Sequence, residues 1–191
     1  MVMDARLQQP RAAETWIDWA LARPIVAAAA VVAIGGAATI LGALYFQYGL
    51  GLRPCALCLE QRYPYYFGIP LAVFVLLGES VGSRRRILLA ALLVITGLML
   101  WNAGLGAYHA GAEWKWWPGP DTCGGTPDLG GSGNLLKQLQ SVNVVRCDEA
   151  AWRFLGLSLA GYNVLISLAL AAVAAWGFLA GGKLPPQPTS A

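Results

Sequence analysis

Charged side chains are scarce in this chain, at 12% of 191 residues against 57% hydrophobic. A soluble domain carries about a quarter, so the deficit excludes an ordinary water-soluble fold and points to lipid. The net charge of +3 is small and the cations are scattered, which argues against a nucleic-acid partner. Histidine occurs once, and residue 59 is leucine, so no CxxCH haem-attachment site exists. A βαβ alternation is missing, which excludes a thioredoxin domain. Internal repeats are missing as well, and the short tail PPQP is the only low-complexity tract.

What the chain does have is apolar length. A hydrocarbon core takes roughly 20 apolar residues to cross. Runs at 25–46 and 87–108 reach that length, as does 154–180, while 63–78 reaches it only if its helix starts near Cys58 and covers 59–78. Gly and Ala recur throughout, as expected where helices pack closely in lipid. Pro64 suits the opening turn of the second helix, and Pro70 is expected to bend it. The reading is a single all-α membrane domain over 1–191, a four-transmembrane-helix bundle. Residues 1–24 lead into the first helix as a retained anchor, because the apolar run is too long for a signal peptide and no small-residue cleavage site follows.

Four spans put both termini on one side. Arg84, Arg85 and Arg86 sit together in the short loop 79–86, and by the positive-inside rule that loop is cytoplasmic. The tail 181–191 is then cytoplasmic too. Loops 47–58 and 109–153 then face outward, and they hold all four cysteines: Cys55 and Cys58 in the first, Cys123 and Cys147 in the second. Disulfides persist on that side.

Four cysteines allow three pairings. The local one joins Cys55 to Cys58 and leaves Cys123 with Cys147. A structural staple suits the long Gly-rich loop, where closure removes chain entropy. It suits Cys55 and Cys58 badly, since so small a ring constrains little chain, and CxxC spacing favours thiol exchange. Zinc fits poorly, because the second pair is far apart and one histidine is all the chain can add. Arg62 lies at i+4 from Cys58, sharing a helix face if the helix is continuous. It either snorkels to headgroups or, with the helix N-terminal dipole, favours a Cys58 thiolate. A dithiol at the membrane surface needs an electron acceptor, and the lipid phase offers a quinone.

The stretch CALCLEQR at 55–62, with YHAGAEWKWWPGPDTC at 108–123 and CDEAAWRFLGLSLAGYN at 147–163, resembles the DsbB family of bacterial inner-membrane disulfide-forming proteins over about residues 25–180. The resemblance implies redox disulfides Cys55–Cys58 and Cys123–Cys147. It also implies a membrane quinone, ubiquinone or menaquinone, and a periplasmic thioredoxin-fold oxidase of the DsbA type as partner. Cys58 and Arg62 match the quinone site, His109 a histidine near it, and Cys123 the cysteine that the partner attacks. His109 read alone suits an interfacial side chain bonded to a backbone carbonyl, with Glu113 able to orient it.

The Gly-rich stretch after Cys123 departs from the family pattern. The segment NLLKQLQSV places Leu135, Leu136, Leu139 and Val142 on one face, as for a helix lying in the interface. Trp114, Trp116 and Trp117 form an interfacial aromatic belt. Two other classes stay open: a vitamin-K-epoxide-reductase-like enzyme, which places its CxxC late in the bundle, and a non-catalytic scaffold with two structural disulfides. A reporter active only in the cytoplasm is expected to work when fused at Ser83 or after Lys183 and to fail at Ser132. The reverse pattern would put all four cysteines in a reducing compartment and end the redox reading.

Overall fold

The computed structural model describes residues 16–119 and 147–183. Cys123, the Gly-rich stretch after it, the expected interfacial helix at 134–142 and most of both termini lie outside the described residues. Helix α1 (Trp16–Ala22) leads through Arg23 into α2 (Pro24–Leu44), which continues as a π turn over Tyr45–Gly49. A short helix α3 (Ala56–Glu60) precedes α4 (Tyr63–Ser80) and α5 (Arg85–Glu113). Strands β1 (Arg153–Phe154) and β2 (Leu157–Ser158) pair antiparallel before α6 (Leu159–Lys183). The mostly helical architecture agrees with an all-α membrane protein.

Three of these helices are long and apolar enough to cross a membrane: α2 with its π turn, α5 and α6. Helix α4 has 18 residues, or about 27 Å at the α-helical rise, short of the roughly 30 Å hydrocarbon core. It nevertheless packs between α2 and α5, while α6 packs on α2 and α5, so four long helices share one core. Leu92, Ile95, Met99, Val75 and Ala174 lie at its centre. Large apolar side chains also cover the outside, with Ile34 72% and Phe67 67% exposed. Helices apolar all round are what a lipid solvent requires.

Three boundaries differ from the sequence expectation by a helical turn or more, each for a local reason. The second helix does not run through from Cys58. Pro64 has no N–H for the Glu60 carbonyl, and its ring would clash there. The chain therefore closes α3, turns at Gln61 and Arg62, and restarts at Tyr63, with Tyr65 and Tyr66 N–H groups bonding the Arg62 carbonyl. The fourth helix starts at Leu159, since Leu155 (φ 48) and Gly156 (φ 83) turn residues 153–158 into a two-residue hairpin. Helix α5 runs one turn past 108, through Glu113. It ends in a Schellman cap, with Lys115 in the left-handed region (φ 62) and the Trp116 N–H on the Gly111 carbonyl. His109 and Glu113 thus belong to a helix and not to the long outer loop.

Small residues set how closely the helices approach. A Cβ on Gly177 of α6 would stand 2.3 Å from the Ala28 Cβ of α2 and 3.1 Å from the Pro24 carbonyl oxygen. Neither neighbour can rotate away. Gly177→Ala is expected to cost about 1–3 kcal/mol by overpacking and to lower the thermal unfolding midpoint in detergent. Gly42→Ala, where a Cβ meets nothing within 4 Å, should not lower it. An unmoved midpoint in Gly177→Ala would show that the α2–α6 contact is looser than it stands here.

Candidate functional site

The chemistry gathers where the C-terminal ends of α2 and α5 and the N-terminal end of α6 meet α3. Cys55 is the N-cap of α3, in extended conformation, and its sulfur accepts the Cys58 backbone N–H at 3.3 Å. The helix-terminus donor is therefore given to Cys55 and not to Cys58. Both cysteines are free thiols, and the Cys55 S–H donates to the Cys58 sulfur at 3.0 Å. That bond holds Cys58 below the ordinary thiol range despite its burial, with Arg62 adding a smaller pull. Cys55 is pushed up for the complementary reason, since it gives the hydrogen bond, and burial then adds to the rise. One negative charge on this pair therefore settles on Cys58.

Arg62 does not share a continuous helix with Cys58, because the turn that Pro64 imposes begins at Gln61. It is the N-cap of α4, and its Nη1 donates to Gln47 Oε1 on the π turn at 2.7 Å. Both residues still line one cavity of about 550 Å³, within the range of small-molecule sites. Its walls are mainly apolar, from Ala38, Ile40, Phe46, Trp152 and Ile166, and its polar groups include Cys58, Gln61, Arg62 and His109.

His109 is 3% exposed, and its partners are side chains rather than a backbone carbonyl. Nδ1 lies 2.8 Å from Gln61 Nε2, and Nε2 lies 3.6 Å from Cys55 Sγ. Glu113 stands farther off, with Oε1 3.7 Å from Nε2. Its Oε2 is buried with no hydrogen-bond partner among the described residues. Gln61 Oε1 accepts from Asn163 Nδ2 at 2.7 Å, and the Tyr65 hydroxyl donates to Asn163 Oδ1 at 2.8 Å. Asn102 and Ser167 extend this chain into the bundle.

Cys147 is disulfide-bonded and 1% exposed. Its sulfur, the Cys55 sulfur and a His109 ring nitrogen lie within 4.8 Å of one another. These are metal-ligand types, and spacing along the chain gave no sign that they converge. A sulfur in a disulfide offers no thiolate to a metal, whereas two sulfurs at this range are placed for exchange. Three contacts dock the Cys147 segment here: the 2.5 Å Lys115–Asp148 ion pair, Arg153 donating to the Glu113 carbonyl at 3.3 Å, and Trp152 packed on Phe46.

Of the residues expected from sequence, Cys55, Cys58, Arg62, His109 and Cys147 come together, and Cys123 lies outside the described residues. Gln47, Tyr65, Asn102, Asn163 and Ser167 were not anticipated. The available signal was a polar side chain within an apolar helix, which usually faces the bundle interior. The Trp cluster is partly exposed, with the Trp117 indole donating to the Tyr108 carbonyl at 2.9 Å.

Residues 26–177 match the family model of the disulfide bond formation protein DsbB. Among curated relatives, disulfide bond formation protein B of Polaromonas sp. (strain JS666 / ATCC BAA-500) is 28% identical over 75% of this chain and 84% of its own. The protein of the same name from Saccharophagus degradans is 28% identical over 78% and 89%. That of Xanthomonas oryzae pv. oryzae (strain MAFF 311018) is 31% identical over 74% and 81%. No solved structure matches at comparable stringency. With the family model covering most of its length and three helices able to cross a bilayer, the chain belongs to the DsbB family, multi-pass membrane proteins of disulfide bond formation.

Proposed function

We propose that this protein is a quinone-dependent protein-thiol oxidoreductase that reoxidises a periplasmic thioredoxin-fold, DsbA-type dithiol. The observation that carries the reading is the convergence of the Cys147 and Cys55 sulfurs, while Cys58 opens on an apolar cavity beside Arg62. The partner's thiolate attacks Cys123 of a Cys123–Cys147 disulfide, and Cys147 leaves as thiolate. The partner's second thiolate then completes its own disulfide and frees Cys123. Cys147 next attacks Cys55 of an oxidised Cys55–Cys58 pair, and Cys58 leaves as thiolate. Cys123 attacks Cys147, restores the outer disulfide and releases Cys55. Each step exchanges one S–S bond for another, so the partner's two electrons come to rest on Cys55 and Cys58.

A membrane quinone, ubiquinone or menaquinone, supplies the terminal acceptor of two electrons and two protons. Arg62 and Cys58 suit its polar head, and the apolar wall from α2 and α6 suits the remainder. The acidity order supports this direction, because the thiolate gathers on the cysteine that lines the cavity. The α4 helix is the fourth span in this reading. Both termini are cytoplasmic and the cysteine loops periplasmic, in the bacterial inner membrane. The relatives' printed name, disulfide bond formation protein B, supports the same activity. A scaffold with two staples leaves both the cavity and the acidity order without a role.

Quinone absorbance followed with a reduced DsbA-type partner tests the reading. Cys58→Ser is expected to abolish turnover while the protein still folds, and full turnover in that variant would refute it. Arg62→Ala should raise the apparent quinone KM roughly ten- to a hundredfold, the loss of one charge-assisted contact of about 1.5–3 kcal/mol. The acidity order has its own readout. Below the ordinary thiol value of 9.0, Cys58 keeps thiolate character and Cys55 does not. Iodoacetamide should therefore modify Cys58 first as pH is raised from 6. Equal rates would remove the asymmetry.

A further inference from the structure

We propose that Gln61 and Asn163 are positioning residues that fix the His109 proton on Nε2, so that His109 offers a donor to Cys55 as that sulfur leaves in exchange with Cys147. The inference deepens the proposed relay and rests on it. A neutral imidazole has one donor and one acceptor nitrogen, and whatever bonds one nitrogen decides the other. Gln61 turns its oxygen to Asn163 Nδ2 at 2.7 Å, which leaves its NH₂ facing His109 Nδ1 at 2.8 Å. Nδ1 must accept, so Nε2 carries the proton and faces Cys55 Sγ at 3.6 Å.

The direction of this chain is set deeper in the bundle. Asn163 Oδ1 accepts from the Tyr65 hydroxyl at 2.8 Å and from Asn102 Nδ2 at 3.4 Å, and Asn102 Nδ2 also donates to Ser167 at 3.0 Å. Reversing Asn163 alone would face NH₂ against NH₂. Reversing Asn102 with it would bury an orphaned NH₂ in place of the orphaned Asn102 carbonyl that stands there now. Buried orphaned N–H groups are the rarer and costlier case. Every donor from Asn102 to His109 therefore points toward Cys55. Amides hold protons rather than relay them, so the chain orients the histidine and conducts nothing.

Chemically, when Cys123 attacks Cys147 in a Cys55–Cys147 disulfide, the S–S bond breaks and Cys55 departs with the electron pair. The imidazole N–H lies against that sulfur and stabilises the thiolate without transferring its proton. The titratable and charged groups around Cys55 are Cys58 on its own turn and His109 and Glu113 on α5, with Arg62 beyond Cys58, while the disulfide sulfur of Cys147 lies on the segment before β1.

The chain has one histidine, so ¹⁵N spectra of histidine-labelled protein in micelles report this ring alone. At pH 8 the wild type should show Nε2 protonated and Nδ1 bare. Gln61→Glu, nearly isosteric, presents only acceptors and should put a proton on Nδ1. Gln61→Met should leave the two tautomers mixed. In a Cys58→Ser background, Gln61→Glu should also slow Cys55 alkylation at fixed pH by roughly tenfold, the loss of a donor to a charged sulfur. A proton on Nδ1 in the wild type, or a tautomer unmoved by Gln61→Glu, would overturn the inference even if one variant failed to fold. These measurements need neither quinone nor partner. A failed quinone assay with the expected tautomer would sink the relay alone.

Discussion

Pro64 has no backbone proton, and the shape of the site follows from that. A helix running without a break from Cys55 into the bilayer would carry Gln61 and Arg62 around its barrel, with Arg62 one turn beyond Cys58 on the same face. The missing hydrogen bond to the Glu60 carbonyl stops the short helix instead and inserts a turn at those two residues. Arg62 becomes the N-cap of the following helix and reaches across to Gln47, while Gln61 turns inward between His109 and Asn163. Within the turn the Arg62 N–H bonds the Leu59 carbonyl and the Arg62 carbonyl accepts from the Tyr65 and Tyr66 N–H groups, as lipid requires of irregular backbone at its boundary.

Two cysteines three residues apart are chemically alike in sequence, and the fold makes them unlike. Cys55 caps a helix and is buried against Leu57 and Cys147, whereas Cys58 lines the cavity. The hydrogen bond between them means that one sulfur carries the charge while the other carries the proton. Arg62 adds to this asymmetry without creating it. A dithiol meant only to close a ring has no use for the difference. One that receives electrons on one side and delivers them on another does.

The helices and the local part of the chemistry are legible from the sequence for different reasons. Apolar length announces helices in lipid, so α2, α5 and α6 could be placed to within a turn or so at most ends. The motif CALCLEQR named Cys55, Cys58 and Arg62 because their spacing is local. What resisted reading was whatever depends on tertiary contact. Phe154 and Leu155 look like the start of an apolar helix, yet Gly156 lets the pair turn back as a hairpin. Asn102, Asn163 and Ser167 lie on two helices far apart in sequence, and nothing local says that they meet. Spacing pairs Arg62 with Cys58 along one helix, whereas its hydrogen-bond partner Gln47 lies across the site.

Burial then decides which sulfur meets which. Cys147 and Cys55 are 1% and 6% exposed, so a thiol in bulk solvent has little access to either. Thiol exchange requires a thiolate to approach a disulfide sulfur directly, and among the described residues the sulfur packed against Cys55, apart from its own neighbour Cys58, is Cys147. The Lys115–Asp148 pair, the Arg153 bond to the end of α5 and the Trp152–Phe46 contact all serve to hold that approach. In the proposed relay, selectivity comes from this docking rather than from thiol reactivity. Cys55 can then remain a poor thiolate while it is a free thiol bonded to Cys58, and in the relay it becomes the leaving group from a disulfide with Cys147, with the histidine N–H against it.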